Sequence, residues 1–234
     1  MNRLNLIPRS WLFVLAVVFC LGGFTVHGEE SPSAENIAEW RSAAEQGNAA
    51  AQNNLGNCYR NGIGVVKDVA EAAKWYRKAA EQGSATAQNN LANCYSTGEG
   101  VVEDQVEAMK WYRKAAEQGV AIAQYIIGLY YAKGEGVMRD HIRAVYWYRK
   151  AAVQGHAAAQ NTLGFCYNEG TGVVKDEVEA ARWWRKAAEQ GIEAAQYNLG
   201  VCCALGKGVM KDEVEAVIWC QKAAEQGYAD AQYN

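Results

Sequence analysis

Six glycines recur in this chain at a fixed interval of 36 residues: Gly47, Gly83, Gly119, Gly155, Gly191 and Gly227. Five tryptophans follow the same interval: Trp75, Trp111, Trp147, Trp183 and Trp219. Of the 23 glycines, all those after Gly28 fall at only four positions of the repeating unit. A strict period of this length is typical of a solenoid, in which each unit buries its apolar face against its neighbours. The question of function therefore moves from a catalytic pocket to an extended surface.

Each unit has the pattern of an antiparallel helical hairpin. In the second unit, an apolar face with helical spacing ends at Gly98, as a left-handed C-cap requires. Asp104 then begins a second helix as N-cap, and Glu107 three residues later completes a predicted capping box. Arg143 replaces this glutamate in the third unit, which predicts a weaker cap there. We expect helices near residues 48–61 and 68–82, and at their 36-residue translates.

Three recurrent positions are predicted to hold the fold together. The tryptophans at repeat spacing are interpreted as core residues. A glycine or alanine in each first helix, such as Gly56, lets the two helices of a hairpin approach closely. Gln52 and its equivalents are polar and the same in every copy, which favours hydrogen bonds between neighbouring repeats. A grip on the backbone of a bound peptide is the alternative for these glutamines.

The spacing of these residues matches a known motif. Leu55-Gly56-x-x-Tyr59-x-x-Gly62-x-Gly64-Val65-x-x-Asp68, followed by Ala72-x-x-Trp75-Tyr76-x-Lys78-Ala79-Ala80-x-x-Gly83, closely resembles the Sel-one-like repeat, a 36-residue relative of the tetratricopeptide repeat. The resemblance covers residues 37–234. It implies an all-α fold, a right-handed α-solenoid that binds proteins or peptides as an adaptor or scaffold. It brings no shared catalytic residues and no cofactor.

The period and the resemblance divide the chain into four kinds of segment. We predict a signal peptide at 1–28, an N-terminal capping helix at 29–47, five repeats at 48–83, 84–119, 120–155, 156–191 and 192–227, and the truncated start of a sixth repeat at 228–234. Terminal repeats of solenoids normally carry a polar outer face. An unpaired apolar edge at the last hairpin is therefore expected to favour weak end-to-end self-association.

The first 28 residues have the layout of a secretory signal peptide. Arg3 and Arg9 precede an apolar run from Trp11 to Val26, and small residues surround Gly28. This run of 16 residues is short for a membrane-spanning helix, which needs about 20. We expect export, with cleavage near Gly28 and a periplasmic or secreted mature chain without a membrane span. Anchoring of the uncleaved chain by residues 11–26 is the alternative.

The net charge of the chain limits the kinds of partner that it can bind. Residues 1–28 contain two of the 23 basic residues and none of the 26 acidic ones, so the mature chain has a formal net charge of −5. This mild acidity excludes nucleic acid as a main partner, because phosphate binding needs a basic surface.

Cys203 and Cys220 are the pair of cysteines that can meet across a hairpin, and whether they are bridged stays open. No cysteine or histidine set has metal-ligand spacing.

Positions that vary between repeats lie along one stripe of the first helices. Two such positions, four residues apart, share a helix face. By analogy with tetratricopeptide solenoids, the first helices line the concave side. We predict that this stripe binds a partner protein or peptide through Tyr125, Leu129, Phe165, Tyr197 and Val201, with smaller contributions from Asn53, Asn57, Asn89 and Asn93. The alternative is that its apolar members only cover neighbouring apolar surface.

The sequence shows no arrangement of residues that is typical of a catalytic site. The two histidines after Gly28, His141 and His156, occupy positions that differ between repeats, and no serine or cysteine lies in a recognisable nucleophile elbow. We therefore predict a non-catalytic scaffold. The competing hypothesis, which comes from the resemblance alone, is a cell-envelope enzyme that processes β-lactams or peptidoglycan.

Overall fold

The computed structural model describes residues 32–232, and the predicted signal peptide lies outside this range. All regular secondary structure in the described range is α-helical. Its helices are α1 (Ala34–Glu45), α2 (Ala49–Asn61), α3 (Val69–Glu81), α4 (Ala85–Thr97), α5 (Gln105–Glu117), α6 (Ala121–Lys133), α7 (His141–Val153), α8 (Ala157–Glu169), α9 (Glu177–Glu189), α10 (Glu193–Leu205), α11 (Glu213–Glu225) and α12 (Ala229–Gln232).

The helices form a right-handed α-solenoid of five hairpins. The hairpins are α2–α3, α4–α5, α6–α7, α8–α9 and α10–α11, and α1 covers the first of them. Each helix packs against the helices that precede and follow it in the chain. The bounds of α2 and α3 lie within one residue of those expected from the sequence, and the predicted fold class is confirmed. Among the helices of residues 32–232, none is long and apolar enough to span a membrane.

Capping residues at fixed positions start and stop these helices. Gly98 ends α4 with φ 71°, in the left-handed region, and its N–H donates to the Cys94 carbonyl. Asp104 then begins α5, where its side chain accepts a hydrogen bond from the Glu107 N–H at 3.0 Å. The Glu107 carboxylate binds Lys110 rather than the cap backbone, so only half of the predicted capping box forms.

The third repeat keeps its cap despite the change from glutamate to arginine. Asp140 accepts from the Arg143 backbone N–H at 2.9 Å, as its equivalents do elsewhere. This hydrogen bond is retained because its donor belongs to the backbone and does not depend on the side chain. That the cap is weaker there stays a prediction. The Arg143 guanidinium in addition lies 3.3 Å from the Asp140 carboxylate.

The core of each hairpin is a close contact between its two helices. A Cβ placed on Gly128 of α6 would lie 2.4 Å from the Tyr148 ring of α7, so the ring occupies the space that glycine leaves. The predicted close approach at this position is thereby confirmed. One large apolar side chain in each first helix is completely buried beside it: Leu55, Leu91, Ile127, Leu163 and Leu199.

A glutamine at one position of every first helix joins neighbouring repeats. Gln124 of α6 donates to the Ala116 carbonyl at the end of α5, at 3.0 Å. It accepts from Gln154, which follows α7, at 2.7 Å. The donor bond recurs in all five hairpins, for Gln52, Gln88, Gln124, Gln160 and Gln196. These side chains are buried and hydrogen-bonded within the protein, in agreement with the structural role favoured by the sequence.

Candidate partner-binding surface

The variable positions of the first helices form a row along α2, α4, α6, α8 and α10, which we call the first-helix stripe. Its members are Asn53, Asn57, Asn89, Asn93, Tyr125, Leu129, Phe165, Tyr197 and Val201. They differ widely in burial, because each packs against whatever residue the next helix or the next repeat places beside it.

The asparagines of the stripe are engaged by neighbouring side chains. Asn53 is buried and accepts from the Asn90 amide of the next repeat at 2.9 Å. Asn57 is half-buried and accepts from the Tyr76 hydroxyl at 2.7 Å. Asn93 makes the equivalent bond with the Tyr112 hydroxyl. Their carbonyl oxygens are therefore used within the fold, and their amide hydrogens remain the groups with which Asn57 and Asn93 can donate to a ligand.

Asn89 is the exception among these asparagines. It is buried, and its Oδ1 has no hydrogen-bond partner. The residue that would face it from the next repeat is Ile126, which stands where Asn90 stands opposite Asn53 and which has no polar hydrogen to donate. The cause of the orphaned oxygen is thus the change to apolar residues that begins in the third repeat.

Tyr125 lies in the core rather than on the surface. It is 5% exposed, and its ring lies between those of Tyr148 and His156, at centroid distances of 5.7 Å and 5.0 Å. Its hydroxyl is 3.5 Å from that of Thr162 in the next repeat. Burial raises the pKa of Tyr125. The apolar character of this stripe position is accounted for by packing between the third and fourth repeats.

Phe165 is the stripe residue with a large exposed apolar surface. Its side chain is 37% exposed, and it meets the Trp184 indole edge-on at a centroid distance of 5.4 Å. Leu129 and Val201 occupy the equivalent positions in the flanking repeats and are half-buried. Tyr197 is also half-buried and lies 5.3 Å, centroid to centroid, from Tyr228. The apolar surface of the stripe is thus centred on α8.

The profile of the Sel1 repeat family matches five consecutive segments, at residues 49–84, 85–120, 121–156, 157–192 and 193–228. The chain belongs to the Sel1 repeat family. Sel1 repeat proteins generally mediate protein–protein interactions and are generally not enzymes. No curated protein gave a significant match.

Solved structures of bacterial proteins share this fold. The protective antigen c5321 of uropathogenic Escherichia coli, which displays an SLR fold, is 40% identical with a TM-score of 0.82. The match covers 86% of this chain and 43% of c5321, so the chain spans less than half of that protein. A Sel1 repeat protein from Oxalobacter formigenes is 39% identical over 85% of this chain and 79% of its own, with a TM-score of 0.77.

Outward-facing apolar residues of the Sel1 repeats were missed by the sequence reasoning. The connection within each hairpin carries one such residue, and all are between 87% and 90% exposed: Val66, Val102, Met138, Val174 and Met210. Because this position is apolar in every copy, comparison between repeats assigns it to the fold. Only the structure shows that these side chains point away from the core.

The tryptophan row is core, as predicted, with one difference. Trp75, Trp111, Trp183 and Trp219 are between 8% and 9% exposed, and Trp147 is half-buried. A lysine lies over each indole, as in Lys114 and Trp111 at 3.9 Å from ammonium to ring centroid. Such pairs are cation–π contacts, and they cover the outer side of the tryptophans.

Burial raises the pKa of the thiols of the Sel1 repeats. The six cysteines of residues 32–232 are free, so Cys203 and Cys220 are not bridged. Burial raises the pKa of Cys94, Cys166 and Cys202 to about 11, which keeps these thiols protonated at neutral pH. Within the described range, no group of three or more histidine, cysteine, aspartate or glutamate side chains is arranged to hold a metal ion.

Proposed function

We propose that this Sel1 repeat protein is an exported, non-catalytic scaffold that holds a partner protein or peptide on the concave side, along the first-helix stripe of its third to fifth repeats. Phe165 carries the proposal. It is a large aromatic side chain, 37% exposed, at a position where the first two repeats have asparagine. Aromatic anchors of this kind supply much of the binding energy at protein interfaces. The general role of the family supports a protein or peptide as the ligand.

The other stripe residues have graded roles in this proposal. Leu129, Tyr197 and Val201 extend the apolar contact of Phe165 along neighbouring repeats, since each is partly accessible. Tyr125 supports the surface from below by packing on Tyr148. In the first two repeats, Asn57 and Asn93 are half-buried and can donate amide hydrogens to carbonyl oxygens of an extended peptide. Asn53 and Asn89 are buried and make the smaller contribution.

The test replaces apolar stripe residues by those of the first two repeats. Phe165→Asn with Leu129→Asn recreates the residues found at Asn57 and Asn93, where a hydroxyl from the second helix donates to the amide oxygen. The new Asn at 165 also places an acceptor beside the buried Trp184 Nε1, which lacks one. The fold should therefore survive, as circular dichroism will verify.

The protein and this double variant serve as baits in parallel pull-downs from the native host, with captured proteins identified by mass spectrometry. We expect at least one partner to be captured by the wild type and lost with the double variant. Val102→Asn, at an exposed position in the second repeat, is the control and should capture the same partners as the wild type. An unchanged set of partners in the double variant would contradict the proposal.

The exported location is tested separately by N-terminal sequencing of the protein from its native host. The basic start and the apolar run that ends before Gly28 support a mature chain that begins near Glu29. An intact Met1 in the membrane fraction would instead favour an anchor formed by residues 11–26.

A further inference from the structure

The second helix of the third repeat, α7, presents an apolar row to solvent. Ile142 is 74% exposed, Tyr146 is 52% exposed and Val153 is 71% exposed. These residues lie at i, i+4 and i+11, which places them on one side of the helix. We call these three residues, with Lys150 between them, the α7 patch. The α7 patch lies on the second helix of its hairpin, whereas the first-helix stripe lies on the first helices. The two are therefore different surfaces.

At two of the three positions of this row, the other repeats show that an apolar residue is not needed by the fold. The position of Ile142 is apolar in every repeat, as Ala70, Val106, Val178 and Val214. At the position of Tyr146 they carry Lys74, Lys110, Arg182 and Ile218. At the position of Val153 they carry Glu81, Glu117, Glu189 and Glu225. In the third repeat alone, both of these outward positions are free of formal charge. Because exposed apolar side chains gain nothing from water, a surface that gathers three of them indicates a contact.

The charge of α7 also differs from that of its equivalents. Residues 141–153 include Arg143, Arg149 and Lys150 and no aspartate or glutamate, whereas each of the other four second helices contains two or three glutamates. The Arg143 position is glutamate in those four repeats. Lys150 lies over the Tyr146 and Trp147 rings, at 4.9 Å and 5.2 Å. Helix α7 itself thus carries basic residues and no acidic one, on a chain whose overall charge is negative. The nearest acidic residue before it in the chain, Asp140, is paired with Arg143.

A shallow groove continues the patch at the start of α7. It has a volume of about 660 Å³ and lies between α7 and the connection of the next repeat. Arg139, His141 and Asp140 line it, and the Asp140 carboxylate is paired with Arg143. Two exposed apolar residues, Ile142 and Val174, complete the lining. The groove offers a place for one apolar side chain of a ligand beside a positively charged group.

We propose that the outer face of α7 binds an acidic amphipathic segment of a partner protein, with its apolar side chains on Ile142, Tyr146 and Val153 and its carboxylates beside Arg139, Arg143 and Lys150. The patch spans about 17 Å along the helix, the length of about three turns of a bound helix. A flat anionic membrane fits less well, because the flanking helices α5 and α9 carry Glu117 and Glu189 at the position of Val153.

The test uses a fluorescein-labelled amphipathic peptide of about four helical turns, with leucine on one face and glutamate elsewhere. Its twin has lysine in place of every glutamate. Binding of each peptide to the purified protein is followed by fluorescence anisotropy at low and high salt. We expect the affinity of the acidic peptide to be at least about tenfold higher than that of the lysine peptide. This affinity should fall as the salt concentration rises.

Tyr146→Lys with Val153→Glu replaces the patch by residues of the other repeats and leaves the net charge unchanged. We expect this variant to lose about tenfold in affinity for the acidic peptide. The matched control is Val106→Lys with Val102→Glu, two exposed positions of the second repeat, which should keep the affinity. Melting curves will establish that both variants are folded.

Three results would overturn the proposal. The first is an acidic peptide that binds the wild type and the α7 variant equally, or binds neither. The second is a preference for the lysine peptide. The third is cosedimentation with vesicles of phosphatidylcholine and phosphatidylglycerol that depends on Tyr146 and Val153 while the acidic peptide fails to bind, which would assign the α7 patch to a membrane surface instead.

Discussion

His156 caps a helix from a half-buried position between two repeats. Its Nδ1 accepts the Ala159 N–H at 3.2 Å at the start of α8, and its ring lies 5.0 Å from that of Tyr125. At the same position the first repeat uses Asn48 and the second Ser84. Only the histidine changes its charge near neutral pH, and a protonated Nδ1 can no longer accept this hydrogen bond.

Protonation of His156 should destabilise the protein in mild acid. Burial lowers the pKa of His156, so the unfolded chain binds the proton more readily than the folded one. The free energy of unfolding should therefore be highest above pH ~6.5 and fall as the pH drops from there towards the lowered pKa. Urea unfolding of the wild type and of His156→Asn over this range measures the effect. Asparagine retains the cap, so the variant should show the shallower pH dependence, and equal slopes would contradict this account.

The hydrogen-bond partner of a side chain changes between repeats where the residue opposite it changes, and the sequence reasoning did not predict these partners. An arginine of the second helix donates to a tyrosine hydroxyl of the next repeat in three junctions, as Arg113 does to Tyr131 at 2.8 Å. In the last junction Cys203 replaces the tyrosine, and Arg185 instead binds Glu215 at 2.5 Å. This contact lowers the pKa of Glu215 to about 2. The period fixes which positions are equivalent, but the partner of each side chain depends on which neighbour is present.

At the scale of the helix, the connections carry part of the contact between repeats. Gly100, in the connection between α4 and α5, has φ 76° and lies against the backbone of Val69 at the start of α3. A Cβ on Gly100 would lie 2.0 Å from the Val69 carbonyl oxygen. Gly119, which follows α5, has φ 95° and open space around it. Both glycines have left-handed backbones, and only Gly100 also makes a close contact.

Alanine at these two positions should separate backbone strain from steric overlap. Gly119→Ala is expected to cost ~1–2 kcal/mol, because it forces a side chain into the left-handed region. Gly100→Ala should cost about 2 kcal/mol more, since the solid backbone of the preceding repeat cannot yield cheaply. Urea denaturation of the two variants measures the difference. Equal losses would mean that the close contact of Gly100 with Val69 does not constrain the junction.

At the scale of the whole molecule, the 36-residue period predicts the fold, but it does not predict which side chains lie exposed on the surface. Glycines, aspartates and tryptophans at equivalent positions predict the hairpins, their caps and most of the core. The stripe was assigned to a surface because its residues vary, yet Tyr125 is buried by Tyr148 and His156. The α7 patch was missed because variable positions were compared only on the first helices. Exposure depends on contacts between repeats, which a comparison of equivalent positions does not contain.

The nearest-neighbour contacts predict how the chain tolerates deletions. Removal of residues 84–119 takes out one complete hairpin, and the ends that meet have equivalent neighbours. This variant should stay helical and unfold cooperatively, with a lower midpoint. Removal of residues 84–101 takes out α4 and leaves α5 without its partner helix, so this variant should lose helical structure or aggregate. Circular dichroism and thermal melts compare the two. Similar melting midpoints for the two variants would contradict the account in which each hairpin is a complete unit that packs only against its neighbours.

The central claim is that the first-helix stripe, centred on Phe165, is where this Sel1 repeat protein meets its partner. Hydrogen–deuterium exchange of the protein, alone and with the partner whose capture depends on Phe165, tests it most directly. The account predicts slower exchange on binding in α6, α8 and α10, with α3 and α5 unchanged. Protection confined to the second helices or to the connections, with α8 unaffected, would contradict it.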